Sequence, residues 1–162
     1  MTELYLEDLA VGQTFGSGRV RVEAAAIKAF AAEFDPQPFH LDEEAARNSI
    51  FRGLAASGWH TAALTMRLLV TGAFKPAGGL VGAGNEISWS RPVRPGDELR
   101  VESEVLEIRP SKSRPQQGLV KMRSTTFNQN DEPVQELVAN LVVRRRAAPE
   151  PSRPEPPIGR EA

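Results

Sequence analysis

The first half of the chain places apolar residues at the spacing of an α-helix. They recur at Val22, Ala26, Ile27, Phe30 and Phe34. This pattern predicts a helix that buries these side chains on one face. The helix is expected to end at Asp35, because Pro36 has no N–H and disfavours helical backbone in the residue before it.

The segment after this helix is expected to alternate between loops and further helices. Two prolines in residues 35–39 predict a stiff extended loop. Asp42 can cap a short helix through Ala46. A longer helix is predicted over residues 59–70, and apolar residues on more than one side indicate that most of its surface is buried. Its main apolar stripe consists of Trp59, Ala62, Ala63, Met66, Leu69 and Val70.

The second half changes to a two-residue repeat, which is typical of strands with one buried face. The apolar positions of the first repeats are Ile87, Trp89, Leu99, Val101 and Val105. Further strands are predicted at residues 119–129 and 134–144, joined by a turn at Asn130-Asp131. A short early strand is expected at residues 15–22. Helices followed by antiparallel strands predict an α+β domain whose sheet wraps around the helix of residues 59–70.

Composition limits the functional classes. The chain has 162 residues, of which 40% are apolar and 25% charged, and a formal net charge of −1. It contains no cysteine, so disulfides, thiolate-bound zinc, iron–sulfur clusters and a thiol nucleophile are excluded. The near-zero charge argues against a nucleic-acid partner. No apolar run reaches about 18 residues, so neither a membrane span nor a membrane partner is expected.

The two ends of the chain suggest its organisation and location. The acidic N-terminus lacks the basic and apolar regions of a signal peptide, so we expect a cytoplasmic protein. Five of the thirteen prolines fall in the last sixteen residues, among Glu, Arg and Ser. Such a segment buries too little apolar area to offset its ordering entropy. We therefore expect one domain over residues 1–146 and a Pro-rich flexible tail over residues 147–162.

Asp35 and His40 are the first candidates for chemistry. They lie five positions apart on the segment that prolines stiffen. A carboxylate and an imidazole that converge on one water can deprotonate it, and histidine suits this task because its reference pKa is about 6.5. The alternative is that Asp35 caps a turn and His40 has no chemical role. Spacing alone leaves both interpretations open.

Gly58 is a second candidate, because it begins the long apolar helix. Unpaired N–H groups at a helix start can hold an oxygen on which negative charge develops. The alternative is an ordinary helix start with Ser57 as N-cap. The segment lacks the strand-to-helix elbow of serine hydrolases, and His60 is more typical of a structural histidine. The glycine-rich residues 78–84 are interpreted as a helix-to-strand connection, because they do not follow a strand as phosphate-binding loops do.

Three segments of the chain resemble one enzyme family. The chain closely resembles the hydratase signature of MaoC-like dehydratases, the (R)-specific enoyl-CoA hydratase group, in residues 30–46, FAAEFDPQPFHLDEEAA. Two further segments are similar to blocks of that family in the same order. They are residues 51–59, FRGLAASGW, and residues 91–99, RPVRPGDEL. The resemblance covers about residues 5–145.

The resemblance implies a hotdog fold, in which an antiparallel sheet wraps around a long central helix. It also implies reversible addition of water across the 2,3 double bond of an acyl thioester. By position, Asp35 and His40 would bind and activate the water, and the Gly58 N–H would polarise the thioester carbonyl. No metal or redox cofactor is implied, and coenzyme A or acyl carrier protein enters as part of the substrate.

Substrate contacts are expected at Ser57, Trp59 and Pro38. Trp59 is bulky and close to the expected acyl site, so we expect a short, branched or polar acyl group. The chain departs from the family at Ala63, where some members carry a serine on the central helix.

Two other functions remain as alternatives. A hotdog acyl-CoA thioesterase usually carries its carboxylate on the central helix, and residues 59–70 contain no Asp or Glu. A non-catalytic acyl-CoA-binding hotdog subunit would not need both Asp35 and His40. Because one sheet and one wrapped helix leave a large apolar face, we expect at least a homodimer.

Overall fold

One antiparallel sheet of five strands forms the framework of the protein. The computed structural model describes residues 2–147, so nearly all of the predicted tail lies outside the described residues. The strands are β1 (Thr14–Arg21), β2 (Val81–Trp89), β3 (Glu98–Pro110), β4 (Gln117–Phe127) and β5 (Pro133–Arg144). Their order across the sheet is β1-β3-β4-β5-β2, so β1 and β2 form its edges. The predicted turn at Asn130-Asp131 is confirmed, and Asp131 adopts a positive φ of 57° there.

Within residues 2–147, four α-helices lie between β1 and β2 in the chain. They are α1 (Ala24–Phe34), α2 (Pro38–Leu41), α3 (Glu43–Arg47) and α4 (Gly58–Thr71). The long helix α4 packs on one face of the sheet, where Leu68 and Leu69 share a core with Leu99, Val101 and Val134. This arrangement confirms the predicted α+β hotdog architecture.

The structure corrects the predicted loop at residues 35–39. Asp35 and Gln37 have non-helical backbone, but Pro38 begins the single turn of α2. Proline suits the first position of a helix, because its φ is already helical and its missing N–H would have no helical partner there. The predicted cap of the next helix is confirmed, since the Asp42 carboxylate accepts a hydrogen bond from the Ala45 N–H at 2.7 Å.

The prediction for the buried face of α4 is wrong. The helix buries a mixed face of His60, Thr61, Thr65, Leu68 and Leu69. The side chains of the predicted apolar stripe are instead largely exposed in the single chain, with Trp59 at 60% and Met66 at 43%. The buried threonines face a sheet that offers hydroxyl and amide partners. Helical periodicity identifies an apolar stripe but not the surface that covers it.

Two further expectations change. Helix α1 buries only Ile27 and Ala31 completely, while Phe34 at its end is exposed. The glycine-rich segment is only partly a connection, because Gly82 and Gly84 belong to the edge strand β2. No helix among residues 2–147 is long and apolar enough to cross a membrane.

His60 joins α4 to α1. Its ring stacks on Phe30 with centroids 4.7 Å apart and an interplanar angle of 8°. The side chain is buried, and its Nδ1 has no hydrogen-bond partner among the described residues. Burial lowers the pKa of His60, because the charged ring would lose its hydration. The sequence-based interpretation as a structural histidine agrees with this placement.

Because its folded pKa is lowered, His60 should make the protein less stable in acid. The neutral ring contributes fully above the unfolded pKa of about 6.5, and this contribution is lost as the pH falls through the lower folded pKa. We expect His60→Leu to reduce the loss of unfolding free energy between pH 7.5 and pH 5. Urea unfolding of the wild type and His60→Leu, at equal protein concentration and at both pH values, measures this loss of unfolding free energy. Equal pH dependence in the two proteins would contradict this account.

Candidate active site

The turn between α1 and α2 brings a carboxylate and an imidazole together. Asp35 ends α1, where its N–H donates to the Ala31 carbonyl at 2.9 Å. His40 lies on the following turn, which Pro38 starts. The His40 Nε2 and the Asp35 Oδ2 are 3.3 Å apart. The structure therefore places the two predicted residues in direct contact, at the end of a helix and on a proline-started turn.

A backbone carbonyl fixes the orientation of the His40 ring by contacting the ring nitrogen that does not face Asp35. Its Nδ1 lies 2.6 Å from the Ala55 carbonyl oxygen, and the side chain is only 4% exposed. Because a carbonyl oxygen only accepts, Nδ1 carries a hydrogen and Nε2 points to Asp35. A bare Nε2 lone pair would repel the carboxylate, so the direct contact fits a single proton held between His40 and Asp35.

Three side chains donate to or share a proton with the Asp35 carboxylate. The Ser57 hydroxyl donates to Oδ2 at 2.7 Å, and the Gln37 amide donates to Oδ1 at 2.6 Å. Partial burial raises the pKa of Asp35, but the hydrogen bonds from Ser57 and Gln37 and the charge of His40 outweigh it. The net result is a pKa below the ordinary value. Asp35 is therefore held as an anion near neutral pH.

Ser57 links this pair to the start of α4. Its hydroxyl oxygen accepts the Trp59 N–H at 3.2 Å and caps the helix, as the sequence predicts. The side chain is completely buried, behind Asp35. Ser57 thus holds the carboxylate in place, and its hydroxyl is already engaged on both sides.

Gly58 begins α4 beside an aromatic wall. A Cβ built on Gly58 would lie 2.7 Å from the ring of Trp89, which no side chain could tolerate without displacing the ring. The glycine is thus required by the close approach of Trp89, whereas the sequence suggested approach of a substrate. As a first-turn residue of α4, Gly58 has an N–H without a helical acceptor.

His40 and Gly58 line a common pocket of about 440 Å³. Its wall also contains Phe51, Thr61 and Trp89, which the sequence analysis did not identify. Trp59 contacts Trp89 edge-on, with ring centroids 5.4 Å apart, but lies outside the pocket. Pro38 is exposed and also lies outside it. The bulky wall is thus supplied by Trp89 on β2, where the resemblance had suggested Trp59 on α4.

Arg94 holds the loop that carries the Ala55 carbonyl. Its guanidinium donates to the carbonyls of Gly53 at 2.8 Å and Leu54 at 3.3 Å, and also to that of Phe51. This loop runs directly into the segment that orients His40. Nothing in the sequence signalled this role, because it depends on three carbonyls about forty positions away.

A metal site does not appear among the described residues. No group of three or more acidic or histidine side chains in residues 2–147 converges in a way that could hold a metal ion.

Replacing Ser57 by alanine should affect both α4 and Asp35. Loss of the N-cap should lower the unfolding free energy at pH 7 by about 1 kcal/mol. Loss of the hydrogen bond should raise the pKa of Asp35, since the charged carboxylate loses a donor. Urea unfolding and carboxyl ¹³C NMR measure the two effects. Ser113→Ala, in the exposed turn between β3 and β4, is the matched control and should change neither. An unchanged Asp35 pKa in Ser57→Ala would contradict the role given to Ser57.

Comparisons with known proteins show which family the chain belongs to. The family of the MaoC like domain matches residues 8–127. The crystal structure of a MaoC-like dehydratase from Rhodospirillum rubrum is 66% identical, with a TM-score of 0.87, over 90% of this chain and 99% of that one.

Two curated proteins are also similar. The uncharacterized protein YdeM of Bacillus subtilis is 33% identical over 86% of this chain and 99% of its own length. The 3-hydroxybutyryl-CoA dehydratase of Methylorubrum extorquens is 34% identical over 68% of this chain and 69% of its own length. With a family match over most of its length and an Asp–His pair held at the start of the central helix, the chain belongs to the MaoC-like dehydratase family.

Proposed function

We propose that the protein is a hydro-lyase that adds water to, or removes it from, the 2,3 double bond of an enoyl thioester. The observation that carries this proposal is the contact between Asp35 and His40 beside a pocket that the start of α4 also lines. The pair supplies acid–base groups for water, and the helix start supplies an N–H for the thioester oxygen. The pocket and the pair beside it thus offer the acid–base groups and the N–H donor that hydration needs.

The hydration step follows from these groups. A water held by Asp35 and His40 gives a proton to the pair as its oxygen bonds to C3. The electron pair of the double bond moves towards the thioester oxygen, where the Gly58 N–H stabilises the developing charge. The pair then returns a proton to C2, and dehydration is the reverse. Because Asp35 and His40 are in direct contact, the first proton is assigned to the two groups together and not to either residue.

The alternatives have less support. A thioesterase of this fold would place its carboxylate on the central helix, and α4 contains no Asp or Glu. A binding subunit would not need three hydrogen-bonding partners on Asp35. The similarity to a 3-hydroxybutyryl-CoA dehydratase supports a coenzyme A thioester as substrate and favours a short acyl group.

We also propose that the active form is a homodimer. Helix α4 carries apolar side chains that the chain's own core leaves exposed, and they include Trp59 and Val70. Strand β2 is an edge of the sheet with exposed Val81 and Trp89. An unpaired edge next to an apolar helix face is a surface that a second copy can cover.

Hydration of crotonyl-CoA tests the proposed activity. The enoyl-thioester absorbance should fall with the wild type, without release of free thiol. Asp35→Asn and His40→Ala should each lower kcat by about 100-fold or more, the usual contribution of a positioned acid or base. Asp131→Asn is the matched control, because Asp131 lies in an exposed turn at a positive φ that asparagine tolerates.

The loss of absorbance and the release of thiol together distinguish a hydratase, a thioesterase and a binding subunit. Thiol release that both variants abolish would identify a thioesterase. Unchanged hydration in Asp35→Asn and His40→Ala would contradict the assigned roles. Absence of both signals, with crotonyl-CoA and with branched or dicarboxylic enoyl-CoA thioesters, would favour the binding subunit.

Light scattering after size-exclusion chromatography tests the dimer. The wild type should show the mass of two chains, and Val70→Glu should shift it towards one, because a charge would be buried in the proposed interface. Val11→Glu is the matched control, since Val11 is an exposed apolar residue outside α4 and β2. If Val70→Glu leaves the dimer intact, the interface does not include this part of α4.

A further inference from the structure

A layer of buried polar side chains crosses the space between α4 and the sheet. The Gln135 amide donates from Nε2 to the Thr65 hydroxyl at 3.1 Å and accepts the Trp89 indole N–H at 2.9 Å. The Thr65 and Thr126 hydroxyls are 2.7 Å apart and share a hydrogen bond. Gln135, Thr65 and Thr126 are almost completely inaccessible to solvent. The layer therefore connects α4, β2, β4 and β5.

The strand register places this layer at one end of the candidate pocket. Gln135 pairs with Trp89 of β2 on one side and with Thr126 of β4 on the other. Trp89 and Thr61 both line the pocket. Thr61 lies one helical turn before Thr65 on α4. The polar layer therefore lies next to the pocket, one helical turn further along α4.

An apolar cavity lies at the following level. Leu137 and Ser124 face each other across β5 and β4 one step beyond Gln135 and Thr126, and both line a cavity of about 100 Å³. The rest of its lining is mostly aliphatic: Met66, Leu69, Leu80, Gly82, Asn85, Met122, Ala139 and Leu141. Gln135 thus lies between Trp89, which lines the pocket, and Leu137, which lines the cavity.

We propose that Gln135, held by Thr65 and Trp89, closes the acyl end of the pocket and restricts the substrate to short acyl groups. This inference rests on the proposed function, since it assigns the substrate class of the same site. An entering alkyl chain would break the hydrogen bonds of Gln135 and leave buried polar groups without partners. The barrier is therefore polar as well as steric. In this account Trp89 and Gln135, rather than Trp59, determine the acyl length.

Two substitutions separate the volume of Gln135 from its hydrogen bonds. Gln135→Ala removes the amide and joins the pocket to the apolar cavity. Gln135→Leu also loses the hydrogen bonds but retains a side chain that fills the space. Both variants leave the Trp89 indole N–H without its acceptor. A difference in acyl-length selectivity between them therefore measures how far the volume of the Gln135 side chain closes the pocket. Gln116→Ala, in the exposed turn between β3 and β4, is the surface control.

The test compares kcat/KM for crotonyl-, 2-hexenoyl- and 2-octenoyl-CoA. A pocket that fits its substrate rejects an added methylene by about tenfold or more, so the wild type, Gln135→Leu and Gln116→Ala should favour crotonyl-CoA steeply. Gln135→Ala should raise the ratio of octenoyl to crotonyl turnover at least about tenfold. A wild type that hydrates octenoyl-CoA as well as crotonyl-CoA would overturn the inference without any variant. Equal selectivity in Gln135→Ala and Gln135→Leu would also overturn it.

Calorimetric binding of saturated acyl-CoA thioesters separates this inference from the proposed reaction. If no enoyl-CoA is hydrated, the proposed function fails. A gain in octanoyl-CoA over butyryl-CoA affinity in Gln135→Ala, and not in Gln135→Leu, would still support closure by Gln135. If the wild type and both variants bind butyryl-CoA and octanoyl-CoA with equal affinity, the closure by Gln135 is overturned.

Discussion

The hydrogen bond from the Ser57 hydroxyl to the Asp35 carboxylate joins the two parts of the candidate site. Asp35 belongs to the end of α1, and Ser57 belongs to the start of α4. The same hydroxyl caps α4 by accepting the Trp59 N–H. One side chain therefore fixes the distance between the acid–base pair and the helix start that carries Gly58. Without it, the carboxylate would lose a donor and the helix would lose its cap.

A second set of contacts holds the imidazole. The Ala55 carbonyl orients His40 from behind, and Arg94 binds the carbonyls of the loop that precedes Ala55. Charged hydrogen bonds of this kind are stronger than neutral ones, so the loop is well fixed. The two candidate groups are thus supported on both sides, Asp35 by Ser57 and Gln37, and His40 by backbone next to the loop that Arg94 holds. Such preorganisation is what acid–base chemistry on a single water requires.

The central helix has two distinct faces. The face towards the sheet carries Thr61 and Thr65 and meets the polar layer around Gln135. The opposite face carries Trp59 and Val70, which are exposed in the single chain. This inverts the usual expectation that the more apolar side of a helix faces its own core. The inversion is physically reasonable when the inner space must hold a substrate and the outer face is covered by a second copy.

Much of the architecture followed from local pattern. Alternation predicted the end of β2, and also β3 and β5, because a half-buried strand must alternate apolar and polar side chains. Strands were also predicted at the positions of β1 and β4. Asp42 and Ser57 were predicted as helix caps, because a cap requires only a short polar side chain before a helix. The five-residue spacing of Asp35 and His40 brought them to attention, and the resemblance to a family assigned their roles. The turn of α2 was missed because the first position of a helix also accommodates proline.

What the sequence alone determined is most of the helices and strands, the helix caps at Asp42 and Ser57, and the choice of Asp35 and His40 as the candidate pair. Each depends on residues close together in the chain. The tertiary structure decided which face of α4 is buried, that Trp89 and not Trp59 forms the pocket wall, and that Gln135 meets Thr65. It also decided that Arg94 holds a loop about forty positions away. These contacts join residues far apart in sequence, and only the packing of the sheet against α4 selects one set from the many that the same local patterns allow.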